Sequence, residues 1–118
     1  MIIGGCFMAK LHMQGKGDLR EVAQKINDNL SGKILSLTKE GEFYSDNTYF
    51  VVYEKYFMRS ENRASLSIVL IDRGGMIEIQ AIGAAAGTGA IFKFSWGSES
   101  DFVYSLQSVL IGLGFAAI

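Results

Sequence analysis

Residues 33 to 96 of this chain consist mainly of strand sequence, with no helical pattern among them. β-Branched and aromatic residues, which favour strands, are concentrated in five segments. These are Lys33–Lys39, Tyr49–Met58, Ser65–Asp72, Met76–Ile82 and Ala90–Trp96. Chain reversals are expected at Gly41, at Asp46-Asn47 and at Asp72-Arg73-Gly74-Gly75, where the residues suit turns. Successive strands joined in this way favour an antiparallel meander.

An amphipathic helix precedes this region. Asp18 stands before apolar residues that share one helical face, namely Leu19, Val22, Ala23, Ile26 and Leu30. Asp18 and Glu21 have the spacing of a capping box, which predicts the start of the helix. Gly32 is expected to end it in a left-handed conformation.

A second amphipathic helix is predicted from about Glu99 to Leu113. Ser98 or Ser100 suits its N-cap, and Gly114 suits its end. Its buried face is expected to hold Phe102, Val103, Leu106, Val109, Leu110 and Leu113.

A sixth strand, Phe7–Met13, precedes the first helix, so the predicted order is β-α-β-β-β-β-β-α. This order predicts an α+β fold in which an antiparallel β-sheet of five to six strands carries two helices on one face. A chain of 118 residues has the usual size of one domain. Residues 1–118 are therefore expected to form a single α+β domain.

The strand patterns also predict how the sheet is covered. Ser65–Ile68 and Ile77–Gln80 alternate between polar and apolar residues, as expected for strands with one wet face. Tyr49–Tyr53, Val69–Ile71 and Ala90–Phe92 do not alternate, which is typical of strands covered on both faces. Two helices can cover only one face of a six-stranded sheet. A second copy of the chain is the simplest cover for the other, so we expect a homodimer that associates through the far face or an edge.

Composition excludes several classes of protein. Lys and Arg are scattered and the formal net charge is −1, which argues against nucleic acid as a partner. Cys6 is the only cysteine, so no internal disulfide can form. The opening MIIGGCFMAK lacks the pattern of a signal peptide, and no apolar run approaches membrane-spanning length. The chain is therefore expected to be cytoplasmic, with no membrane association.

The segment from Gly83 to Ala90 contains only Gly, Ala and Thr, so its backbone can be approached closely. Its spacing is neither a P-loop nor a dinucleotide fingerprint, both of which require a helix directly afterwards. A bulged or sharply bent strand, or a tight chain-to-chain contact, is the favoured interpretation. The alternative is a small-ligand pocket walled by the backbone of Gly87, Thr88 and Gly89 and by Trp96.

No residue pattern predicts a catalytic or metal site. Cys6 and His12 lie on the same face of one strand but about 20 Å apart, too far for a Cys-His dyad or a shared metal. No catalytic residue, metal ligand or cofactor is therefore assigned. Glu54 and Lys55, in an apolar strand, are the charged pair expected to have a perturbed environment.

The tail GTGAIFKFSWGSESDF…LIGLGF resembles a small family of uncharacterised bacterial domains. In that family a glycine-rich strand leads through a Ser-Trp-Gly junction into a C-terminal helix that ends in Leu-Gly-Phe. The matching positions here are Gly87 to Glu99 and Leu113 to Phe115. The resemblance implies a compact bacterial α+β domain and no assigned activity.

These observations favour a non-catalytic module that binds a partner or a second copy of itself. The alternative is a small-molecule binding protein that uses the backbone of Gly87 to Gly89 and the nearby aromatic residues. An enzyme is the least favoured of the three.

Overall fold

The structure, a computed structural model, describes residues 6–57, 62–86 and 98–118. The elements in these ranges are β1 (Cys6–Lys16), α1 (Leu19–Lys33), β2 (Thr38–Tyr44), β3 (Thr48–Phe57), β4 (Asn62–Asp72), β5 (Met76–Ala86), α2 (Ser98–Gly112) and β6 (Ala116–Ala117). Their strands form one sheet in the order β2-β3-β4-β5-β1-β6, and each neighbouring pair is antiparallel. The predicted α+β fold with an antiparallel sheet is confirmed. The predicted strand Ala90–Trp96 lies outside the described residues.

Helix α1 begins where the sequence predicts. The Asp18 side chain accepts a hydrogen bond from the Glu21 backbone N–H at 3.1 Å and so caps the first turn. The predicted end at Gly32 is wrong, because the helix continues through Lys33 and the Ile34 N–H still bonds the Leu30 carbonyl at 2.9 Å. The strand predicted from Lys33 therefore begins only at Thr38.

Two of the three predicted reversals are confirmed. Between β2 and β3 the Ser45 N–H bonds the Thr48 carbonyl at 2.9 Å. Between β4 and β5 the Gly75 N–H bonds the Asp72 side chain at 2.8 Å, and both Gly74 and Gly75 have positive φ. The third predicted reversal, at Gly41, is wrong. Gly41 lies inside β2, where the register shifts between Lys39 and Gly41 as in a β-bulge.

The C-terminus adds a short strand that the sequence pattern did not indicate. Gly114, with φ of 91°, ends α2 as predicted and redirects the chain. The next residues form β6, which pairs with Met13 and Gln14 of β1. Phe115 is buried here, and a Cβ added at Gly15 would come within 2.7 Å of its ring. The close approach of Phe115 explains why position 15 lacks a side chain.

Both helices pack on the same face of the sheet and form one core with it. The inward side chains of β3, β4 and β5 alternate with outward ones, as the pleat requires. The fully buried positions include Val51, Leu66, Ile68, Leu70, Ile77, Ile79, Leu106 and Leu110. No helix in the described ranges is long and apolar enough to cross a membrane.

Candidate functional site

The side of the sheet opposite the helices, which we call the open face, is covered by no described helix. It is formed by outward side chains of β1 to β5: Lys10, His12, Gln14, Phe43, Phe50, Val52, Glu54, Tyr56, Arg63, Ser65, Ser67, Val69, Ile71, Glu78, Gln80, Ile82 and Ala84. Among the large apolar members, Phe43 is 75% exposed, Ile82 45% and Phe50 39%. The non-alternating strands are thus covered on one side only within the described chain.

The strand register places apolar and polar residues in one row across the open face. Phe43, Phe50, Val69, Gln80 and His12 lie side by side on β2, β3, β4, β5 and β1. The β2–β3 end of this row is aromatic, and the β1 end is polar. The open face therefore has an apolar side and a polar side.

A trough of about 580 Å³ runs over the open face and is lined by Lys10, Leu11, His12, Phe50, Ser67, Val69, Gln80, Ala81 and Ile82. Ser67 of β4 is the short outward side chain in this lining, and it lies opposite Ile82 of β5. Ser65 and Ala84, which are also short, lie opposite each other one outward position further along the same strands. Larger side chains rise on both flanks, namely Phe50 on β3 and Lys10 and His12 on β1.

Beside the trough, three donors converge on the Glu78 carboxylate. His12 Nε2 and Gln80 Nε2 lie 2.6 Å and 3.2 Å from Oε2, and Arg73 Nε donates to Oε1 at 2.6 Å. The Glu78 side chain is only 15% exposed. The hydrogen bond from His12, followed by those from Arg73 and Gln80, lowers the pKa of Glu78 to about 2.

These hydrogen bonds make the Glu78 carboxylate a weak base. A carboxylate whose pKa is far below neutral, and whose oxygens already accept three hydrogen bonds, is a poor general base. His12 donates a hydrogen bond from Nε2 to Glu78, so Nδ1 is the ring nitrogen that this bond does not use. In the described ranges no nucleophilic side chain hydrogen-bonds to His12, and no cluster of His, Cys, Asp and Glu could hold a metal ion.

A second polar cluster ties β2 and β3 to the helical layer. The Tyr49 hydroxyl donates to Glu42 at 2.6 Å, and the Tyr53 hydroxyl donates to Asn27 of α1 at 3.0 Å. The bond from Tyr49 lowers the pKa of Glu42, and burial raises the pKa of Tyr53 to about 12. Each member has a partner inside the fold, so this cluster is structural.

Two further charged residues, Lys10 and Glu54, lie on the open face. Glu54, one of the two charged residues that the sequence singled out on β3, pairs with Arg63 of β4 at 2.9 Å. Lys10 has no acidic partner among the described residues. It stands on the trough as an uncompensated cation.

The binding residues expected from the sequence, Gly87, Thr88, Gly89 and Trp96, all lie outside the described residues. Of the glycine-rich segment only Gly83 to Ala86 is described. It continues β5 in unbroken register with both β1 and β4, so this part has no bulge. The sequence interpretation missed the His12, Arg73 and Glu78 cluster. The alternation of Ile77–Gln80 was the available signal, since it placed Glu78 and Gln80 on the wet face.

The model of a family of unknown function, DUF6054, matches residues 8–113 of the 118. This chain belongs to the DUF6054 family. The membership confirms the resemblance to an uncharacterised family. A comparison of the DUF6054 chain with curated proteins gives no match.

One solved structure shares the fold of the DUF6054 chain at low identity, and others match it more weakly. The hypothetical protein jhp0584 from Helicobacter pylori matches with a TM-score of 0.62 and 10% identity, over 91% of this chain and 85% of that chain. A protein of unknown function from Pseudomonas aeruginosa, PA94, matches with a TM-score of 0.48 and 10% identity, over 87% and 82% of the two chains. The Ran-binding protein Mog1 from Saccharomyces cerevisiae matches with a TM-score of 0.43 and 12% identity, over 95% and 66%.

Proposed function

We propose that this DUF6054 domain is a non-catalytic, self-associating module whose open face binds the open face of a second copy. The observation that carries the proposal is the exposure of Phe43, Phe50 and Ile82 on a sheet whose other face is already filled by two helices. Aromatic and large aliphatic side chains grouped in this way are typical of association surfaces. A face-to-face pair of sheets would bury them in a second core.

The β2 edge of the sheet is a poor alternative to the open face. The β2 edge is broken by the shift between Lys39 and Gly41, and it carries Lys39, Glu40 and Glu42. Bulges and charges at an edge are features that prevent strand pairing between molecules. On the opposite side, β6 has two residues and pairs with Met13 and Gln14 of β1, so it covers only part of that strand. The exposed aromatic side chains Phe43 and Phe50 lie on the open face, which we therefore take as the surface for association.

The size of the open face suits a dimer. β4 and β5 have 11 residues each, so with a rise of about 3.3 Å per residue and a strand spacing of about 4.8 Å, five strands present roughly 35 by 20 Å. This area, roughly 700 Å², is close to the ~800 Å² that each partner buries in an interface of standard size.

The charges on the open face favour a second copy over a strongly charged partner. Arg63 is paired with Glu54, and Arg73 with Glu78, near opposite ends of β4 and β5. A surface that carries both signs in pairs can meet a copy of itself without large repulsion. The single cysteine suits a reducing compartment, so we place the module in the cytoplasm.

A charge placed at the centre of the open face tests this proposal. Phe50→Glu should convert a dimer to a monomer in light scattering after size exclusion, because the interface would have to bury an unpaired carboxylate. Tyr104→Glu is the matched control, since Tyr104 is 64% exposed on α2, away from the open face. A dimer that survives Phe50→Glu with native thermal stability would overturn the proposal.

A further inference from the structure

The trough on the open face lacks an occupant of its own within the described chain. We infer that it binds an amphipathic monocarboxylate of the fatty acid type, which the second copy encloses. The carboxylate bonds Lys10, and the hydrocarbon tail lies over Ile82, Val69 and Phe50. The enclosure rests on the proposed self-association, whereas the site itself is built by one chain.

The shape of the open face leaves room for this ligand inside a dimer. Paired sheets stack about 10 Å apart, and side chains from both faces fill that gap. Ser65 and Ser67 of β4 and Ala84 of β5 are too short to reach far into it, while Phe50 of β3 and Ile82 of β5 stand higher beside them. Two such faces would meet first at the taller side chains and leave a space above the short ones. An unfilled apolar space loses packing contacts, so a filler that fits it stabilises the pair.

The apolar lining of the trough favours a hydrocarbon tail on the ligand. Phe50 of β3 lies opposite Val69 of β4, and Ile82 of β5 lies diagonally from Val69, one outward position beyond its direct neighbour Gln80. These three side chains supply the apolar part of the lining. The volume of about 580 Å³ is within the usual range of pockets that hold small molecules. A hydrocarbon chain suits an apolar lining of this kind.

The charge of Lys10 in the trough favours an anionic head group on the ligand. Lys10 lines the trough and has no acidic partner in the described part of the chain. Glu78, the nearest carboxylate on the β5 side, is already held by His12, Arg73 and Gln80. Enclosing an unpaired ammonium group between two sheets is costly, and an anion on the ligand removes that cost. Lys10 is the ammonium group in the described lining, and a singly charged carboxylate matches it better than a doubly charged phosphate.

Calorimetric titration with decanoate, and with decanol as the neutral molecule of equal tail length, tests the site. The full chain should bind about one decanoate per copy and bind decanol at least ten-fold more weakly. Lys10→Met should raise the decanoate dissociation constant at least ten-fold. Lys16→Met is the matched control, because Lys16 lies on the same face of β1, about 20 Å away, and its loss should leave decanoate binding unchanged.

The outcomes separate this inference from the proposed self-association. Sedimentation of the same samples reports the oligomeric state, and decanoate should tighten the dimer. A dimer that does not bind decanoate, or that binds it equally well after Lys10→Met, overturns the carboxylate site and leaves the self-association standing. A monomer that binds decanoate through Lys10 overturns the self-association and the enclosure and leaves the site standing.

Discussion

His12 on β1 and Glu78 on β5 are joined by a hydrogen bond of 2.6 Å although 66 residues separate them in sequence. The bond forms because β5 pairs with β1, which places His12 opposite Gln80 and one outward position from Glu78. Arg73, in the turn before β5, bonds the other Glu78 oxygen at the same distance. The Glu78 carboxylate thereby links β1 to the turn between β4 and β5.

Glu78→Gln should make stability less dependent on pH in the acid range. The pKa of Glu78 is about 2 in the folded chain, below the ordinary value of 4.5. Its ionisation therefore stabilises the fold above about 4.5, and this stabilisation is lost as the pH falls toward 2. Urea unfolding should show the variant to be weaker than the wild type at neutral pH, with the difference shrinking near pH 3. Glu40→Gln, at an exposed position of β2, is the control, and an unchanged difference across the range contradicts the account.

Much of the helical layer could be predicted from the sequence, because its signals are local. Asp18 caps α1 through a neighbour three residues away, and the buried faces of both helices follow the helical period. Gly114 has the conformation expected of a helix end. The prediction failed at Gly41, because a glycine suits both a turn and a β-bulge. Only the pairing of β2 with β3 shows that this glycine belongs to a bulge.

The candidate site could not be predicted in the same way, because it depends on strand order. Along the chain β1 comes first and is separated from the other strands by α1, yet its neighbours in the sheet are β5 and β6. Only that order brings Lys10 and His12 onto the trough beside Gln80 and Ile82. Gly87, Thr88, Gly89 and Trp96 remain sequence predictions, outside the described residues.

Tyr53→Phe should lower the free energy of unfolding by about 1 kcal/mol, the usual value of one hydrogen bond. Its hydroxyl donates to Asn27 at 3.0 Å and joins β3 to α1, while the residue is only 1% exposed. Tyr56→Phe, at a position that is 45% exposed, should change stability much less. Urea unfolding curves of the two variants provide the comparison. Equal effects would show that the Tyr53 bond contributes nothing specific.

Gly15→Ala and Gly32→Ala should change stability in opposite directions. A Cβ at Gly15 would lie 2.7 Å from the buried Phe115 ring, so the substitution overpacks the contact between β1 and the C-terminus and should cost about 1–3 kcal/mol. A Cβ at Gly32 meets nothing within 4 Å in α1, so the higher helix propensity of alanine should stabilise by up to about 1 kcal/mol. Thermal unfolding of both variants checks the signs. Stabilisation by Gly15→Ala would mean that Phe115 does not pack against β1.

The solution mass of the unmodified chain tests most directly whether the open face pairs two copies. Sedimentation equilibrium over a range of micromolar concentrations should give a species of twice the chain mass of 12.9 kDa, dissociating only on dilution. A mass of 12.9 kDa throughout that range would contradict the account, because the exposed Phe43 and Phe50 would then be left without the partner proposed for them.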